Sequence, residues 1–267
     1  MAEPKRPAKN QLPATSVRDF RRLLDQALSA LDDEGRKWAD ARWGCYAFFD
    51  YDGEPIYVGQ TNEQLRTRVR RHLTNQRTDA VAMRILDVFE VAEMELWPLW
   101  EFDNVTKKRD PDGFKAAQAR LDTVEYTAYL KAIAASRFQA ILNEKIPPLS
   151  PTTDLPPSRR FPLISEETRA ERGHPDVRIA RRAETISRLA AVAHERGEVS
   201  DGLRRVLVIQ AIRLAYISAV RLAYVEGRAA PDPSAIDITR LVGSLLYERS
   251  DPHGRTDEDD MGDGEDD

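Results

Sequence analysis

The stretch WGCYAFFDYDGEPIYVG, residues 43–59, decides the fold. Residues 43–50 alternate and are rich in aromatics, Asp52-Gly53 is a two-residue turn signal, and residues 56–59 continue as a short strand, so the stretch predicts a β-hairpin. A two-residue loop sets Phe48 opposite Tyr57, which puts Tyr46 and Tyr57 on one face as diagonal neighbours. Gly44 and Gly59 leave backbone room beside them for a bulky ligand. Two strand tyrosines are also ordinary core material, and the hairpin alone does not choose between a packed pair and a site.

Working outward, residues 63–74 read as a helix whose apolar stripe runs Leu65, Val69, Leu73. Arg68 and His72 fall on that same stripe, which is unusual for charged or titratable groups. Arg66, Arg70 and Arg71 lie on the outer faces and give the helix a positive field suited to phosphate, although a basic helix is also a common salt-bridged surface. A further helical piece over residues 80–86 leads to a third strand within residues 91–100, where Met94 and Leu96 alternate with Glu93 and Glu95 and Pro98 marks an edge. A long helix follows over residues 114–136, after a break at Asp112-Gly113. Its inward side is Leu121, Val124, Ala128 and Ala132, and Glu125 stands on it. An inward carboxylate needs a partner, either a basic residue such as Arg68 or a hard divalent cation, and spacing alone leaves both open.

These residues resemble the GIY-YIG nuclease superfamily. Gly44-Cys45-Tyr46 and Tyr57-Val58-Gly59 are similar to its two name motifs, and Leu65-Arg66-Thr67-Arg68 is similar to its leucine-then-arginine helix. His72 falls one turn later as in some members, Glu125 resembles the metal-binding glutamate, and Asn143 resembles the asparagine that closes the domain. Cys45 and Val58 stand where the family has isoleucine. One extra residue separates Gly59 from Arg68, which leaves Arg66 as an alternative to it. The resemblance implies hydrolysis of nucleic-acid phosphodiester bonds, with Glu125 holding Mg²⁺ or Mn²⁺ and Arg68 contacting the scissile phosphate. Tyr46 and Tyr57 position the water, and His72 competes with them as base. Gly44, Gly59 and Asn143 support the site, and Arg66, Arg70 and Arg71 meet the nucleic acid.

The chain has 267 residues, 41% apolar and 32% charged, which suits a globular protein of about two domains. The expected fold is α+β: a β-β-α-β-α unit with a three-stranded antiparallel sheet, followed by an all-helical part. The expected divisions are an unstructured start at 1–14, a helix within 15–41 opened by a Ser16/Asp19 capping box, and the nuclease-like unit at 42–148. A Pro-rich linker at 149–162, a helical domain at 163–249 and an acidic tail at 250–267 follow. The tail holds nine acidic residues against Arg255 alone, a net of −8 within a chain total of −5, which leaves the body at +3.

In the C-terminal part, residues 178–196, 202–227 and 234–248 read as helices. Arg178, Arg181, Arg182 and Arg188 make the first of them basic, as a DNA reader or as a solvated face. The second, with Val206, Ile209, Ile212, Ala215, Tyr216, Ala219, Leu222 and Ala223, is apolar around much of its circumference, which points to burial or to a homodimer. Gln210, Arg213, Ser218 and Arg221 make it a poor membrane span. Cys45 is the sole cysteine and no leader-like segment opens the chain, so the expectation is a cytoplasmic DNA endonuclease, in restriction or phage defence. The alternatives are a repair or mobile-element nuclease and a module that binds nucleic acid without turnover.

Overall fold

The computed structural model describes residues 13–74 and 85–247. The expectations for residues 1–12, for most of the helical piece at 80–86 and for the acidic tail lie outside the described residues.

Helix α1 (Thr15–Ser29) buries Phe20, Leu24, Ala27 and Leu28 at helical spacing. The Ser16/Asp19 capping box does not form: Ala14 is the N-cap and makes no side-chain cap bond, and the Ser16 hydroxyl instead accepts from Arg172. Strands β1 (Gly44–Phe49) and β2 (Pro55–Thr61) form the antiparallel hairpin with Phe48 opposite Tyr57. Its loop has three residues rather than two. Asp50 N–H donates to the Glu54 carbonyl, and Gly53 sits at φ 72°, the left-handed position that ends a type I turn in three-residue hairpins. The register shift between Phe48 and Phe49 then restores the pairing that a two-residue loop would have given.

Helix α2 (Leu65–Thr74) and strand β3 (Glu93–Pro98) follow, then helix α3 (Pro111–Ala135). Asp112-Gly113 is the first turn of α3 and not a break, because Pro111 opens the helix and the Asp110 carboxylate accepts from Gly113 N–H. The sheet has four strands in the order β2-β1-β3-β4, one more than expected. The extra strand, β4 (Arg159–Pro162), comes from the end of the segment expected as a linker, and it sets Phe161 against Met94. β3 is therefore interior, yet Pro98 lies beyond the four residues that pair with β4, where its missing N–H costs no ladder bond.

All six residues of β1 are buried, because the sheet is covered on both faces. Gly44 lies against Leu65 of α2, while Cys45, on the opposite face, lies against the Leu121 carbonyl of α3. Helices α4 (Glu166–Arg172), α5 (Pro175–Arg196), α6 (Asp201–Val225) and α7 (Ile238–Val242) complete the described chain. The region expected as one helix at 234–248 holds only a short 3-10 turn and α7 among its described residues.

Leu189 and Val192 of α5 and Leu203, Val206 and Ile209 of α6 join the same buried cluster as the strands. Between them and the hairpin turn lies a charged layer. The Arg178 guanidinium bonds Asp50 at 2.9 Å and Asp52 at 2.7 Å, and Arg182 bonds Asp50 at 3.0 Å and Glu90 at 3.1 Å. Arg213, 1% exposed, stands 3.6 Å from Asp50. Arg178 and Arg182 thus tie helix to hairpin and do not form a DNA-facing surface. Arg181 is held by Asp87, and Arg188 by Glu184.

Among the described residues, α6 is the one helix long and apolar enough to cross a membrane by length and composition. In this fold it carries the buried Arg213 and a buried Gln210 that donates to the Ile85 carbonyl at 3.0 Å.

Candidate active site at the free edge of the sheet

β2 is an edge strand, and its outer side is partly taken up. The Asn143 amide mimics a neighbouring strand: its Oδ1 accepts from Val58 N–H at 3.0 Å and its Nδ2 donates to the Val58 carbonyl at 2.7 Å. Leu142 N–H donates to the Ile56 carbonyl at 2.8 Å. Asn143 therefore fixes the strand between the two residues Tyr57 and Gly59.

Tyr46 pairs with Gly59 across the ladder. A Cβ on Gly59 would stand 2.6 Å from the Tyr46 hydroxyl and 3.0 Å from the Tyr57 ring, so only glycine lets the Tyr46 ring lie across β2 toward its rim. The two tyrosine rings stack at 6.2 Å, and the His72 ring, carried by α2, closes over both at 5.7 and 5.6 Å. Gly44 has its own steric reason: a Cβ there would stand 2.6 Å from the Trp97 carbonyl.

Arg68, one turn before His72, places its charge beside both phenols, and its field is felt by Tyr46, Tyr57, His72 and Glu125. It approaches Tyr46 without reaching ordinary hydrogen-bond geometry. Among the described residues the Tyr46 hydroxyl, Arg68 Nε and His72 Nε2 are all buried with no hydrogen-bond partner. Buried polar atoms are normally satisfied, so these three atoms, lying close to one another, have hydrogen-bonding capacity to spare for a bound group.

Glu125 arrives from α3 on the other face of the sheet. It is 8% exposed and, among the described residues, has neither an ion pair nor a hydrogen bond, so the pairing with Arg68 left open by the spacing is not made. Burial, with the charge of Asp122 one turn earlier, pushes its carboxyl up to about 8 against the lowering pull of Arg68. Burial and Tyr57 push the Tyr46 phenol well above the ordinary tyrosine range, and burial raises Tyr57 as well. Burial and the charges of Arg68 and Arg71 lower His72 to about 4, so its imidazole is neutral at neutral pH.

The other predicted arginines are committed elsewhere. Arg66, the alternative to Arg68, is held by Asp40 at 2.6 Å and by the Leu28 carbonyl at 3.0 Å, away from the phenols. Arg70 pairs with Asp25 at 2.6 Å and Arg71 with Glu63 at 2.7 Å. Sequence reasoning passed over Asp122 and Gln60, whose side chains join α3 to β2 at 3.1 Å. A lone aspartate next to Leu121 on a helix gave no signal of that contact.

No group of three or more His, Cys, Asp or Glu side chains arranged to hold a metal occurs among the described residues. A hard cation here would rest on Glu125, with water and substrate oxygens completing its shell. Such sparing use of carboxylates suits Mg²⁺, and the Glu125 carboxyl, without a partner among the described residues, fits it.

Searches of curated proteins and of solved structures found no match. Residues 42–102 match the family model for the GIY-YIG catalytic domain, a span that includes Tyr46, Tyr57, Arg68 and His72 and ends before Glu125 and Asn143. Residues 42–102, in the N-terminal half of the chain, are thus similar to the GIY-YIG catalytic domain.

Proposed function

We propose that this chain is an endonuclease that hydrolyses phosphodiester bonds in DNA with a divalent cation, Mg²⁺ or Mn²⁺, held by Glu125. The matched domain supports a nuclease-type function in general. The single observation that carries the finer reading is the cluster of buried polar atoms on Tyr46, Arg68 and His72, close to Glu125, all four without a hydrogen-bond partner among the described residues.

Hydrolysis at phosphorus needs an oriented water, a counter-charge for the non-bridging oxygens and a stabilised leaving oxygen. Arg68 supplies the counter-charge, since its guanidinium stays protonated and has donor capacity to spare. The Tyr46 hydroxyl orients the water. It is a neutral phenol in the free protein, and cationic charge nearby, of which Arg68 is the resident source, favours its giving up a proton. His72 has too little proton affinity to compete as base, and its free Nε2 hydrogen-bonds the water or the phosphate. A cation on Glu125 would polarise the phosphate and stabilise the leaving alkoxide.

The proposed setting is restriction or phage defence, with the helical part serving target choice or pairing of two copies. Incubating wild type and Glu125→Ala with plasmid, modified phage DNA and RNA, each with Mg²⁺, Mn²⁺ or EDTA, tests the reading. Cation-dependent cutting of DNA by wild type alone is expected. Equal cutting by Glu125→Ala, or cutting in EDTA, overturns it.

A further inference from the structure

Asp122 stands one turn before Glu125 on α3. Its Oδ1 accepts twice, from Gln118 Nε2 at 2.8 Å on the same helix and from Gln60 Nε2 at 3.1 Å on β2. Gln60 directly follows Gly59, so the clamp falls where the Tyr46 hydroxyl, fully buried and without a partner among the described residues, crosses the strand. The Gln60 Oε1 is likewise buried and unpartnered among those residues, which makes Asp122 the group that orients this amide.

The second oxygen of Asp122 takes part in neither amide bond. No ion pair joins Asp122 or Glu125 among the described residues, and the charge of Asp122 adds to burial in pushing the Glu125 carboxyl up, so that a cation is needed to hold Glu125 ionised at neutral pH. Two carboxyl groups without an ion pair on one helical turn, beside a buried phenol that has no hydrogen-bond partner among the described residues, give a cation an anionic place to bind once it displaces the Glu125 proton.

We propose that Asp122 is a positioning residue: clamped by Gln60 and Gln118, it pins α3 to β2 so that Glu125 meets the sheet edge, and it adds a negative charge that draws a divalent cation to Glu125. This rests on the nuclease reading above. Asp122 acts through Glu125, as outer carboxylates commonly tune a ligand they do not replace.

The test is Mn²⁺ titration of the full chain, followed by water-proton relaxation, with circular dichroism to check the fold. Asp122→Asn keeps the Oδ1 acceptor for both amides and removes the charge; Mn²⁺ affinity should fall about tenfold with the spectrum unchanged. Gln60→Met keeps the charge and breaks the clamp, and a fall of about threefold is expected, which serves as the test if Asp122→Asn does not fold. Wild-type affinity in either folded variant, alongside lost binding in Glu125→Gln, overturns the role of Asp122 and leaves the nuclease reading standing. Failure of the wild-type protein to bind Mn²⁺ overturns both.

Discussion

The ring of Tyr46 lies across Gly59, its ladder partner, so closely that a Cβ on Gly59 would stand 2.6 Å from the hydroxyl and 2.7 Å from the ring carbon that bears it. The position of the phenol at the rim of β2 follows from this contact. Gly59→Ala must push the ring off the strand, in a core already covered by His72 and Phe48. Overpacking of this kind costs about 1 to 3 kcal/mol. Urea unfolding should register that loss, and DNA cleavage should fall by about tenfold or more, since a misplacement of ~1 Å at a reacting group can cost ~100-fold.

Glu125 should limit the stability of the free protein at high pH. Its carboxyl titrates near 8 in the fold against an ordinary value of 4.5, because burial and Asp122 disfavour the charge. Below 4.5 the group is protonated in both states and costs nothing. Between 4.5 and 8 the unfolded chain releases a proton that the folded chain retains, so stability falls as pH rises, and above 8 the loss is complete. Glu125→Gln removes this loss, on the order of 5 kcal/mol. Thermal unfolding without divalent cations should show the variant gaining on wild type from pH 5 to about 9; parallel pH profiles would contradict the burial of an ionisable carboxyl.

Asp50 is the common partner of the charged layer under the hairpin turn. It meets Arg178 and Arg182 directly and Arg213 at 3.6 Å. These groups neutralise one another, and burial of three guanidiniums is tolerable only while the carboxylates remain. Asp50→Ala is expected to destabilise the protein by about 3 to 5 kcal/mol, measured by chemical unfolding, because it leaves buried cations unpaired. A loss below about 1 kcal/mol would mean that the layer is solvated in solution.

Arg66 and Arg68 are two residues apart and should separate cleanly. Arg66 links α2 to Asp40 and to the C-terminal end of α1, while Arg68 faces the phenols. Arg66→Ala should cost about 1 kcal/mol in unfolding, given its partial exposure, and keep cleavage within a few fold of wild type.

Much of the site was legible because it depends on local periodicity. Alternation in residues 43–59 and the Asp52-Gly53 signal predicted the hairpin, and the Phe48–Tyr57 pairing followed even though the loop has three residues, since the bulge offsets the extra one. Arg68 and His72 were visible as anomalies on an apolar stripe, and both proved to be partly buried against the tyrosines. Interactions across long stretches of chain were not legible. β4 has four residues with Phe161 as its one buried side chain, too little for a periodic signal among prolines. Arg178 and Arg182 look like any basic helix face until Asp50 and Glu90, more than 90 residues earlier for Arg182, are brought beneath them. The Asp122–Gln60 contact joins two ordinary polar residues 62 positions apart.

In the proposed reading, the polar groups at the β2 edge that lack partners among the described residues form the hydrolytic site. Its most direct test is the cleavage rate of supercoiled plasmid by wild type and Arg68→Ala at saturating Mg²⁺, with DNA affinity measured on the same preparations. Cutting by Arg68→Ala is expected to be slower by about 100-fold or more, the scale expected for loss of a charge that stabilises the transition state, with affinity changed by only a few fold. Wild-type cutting by Arg68→Ala would contradict this reading.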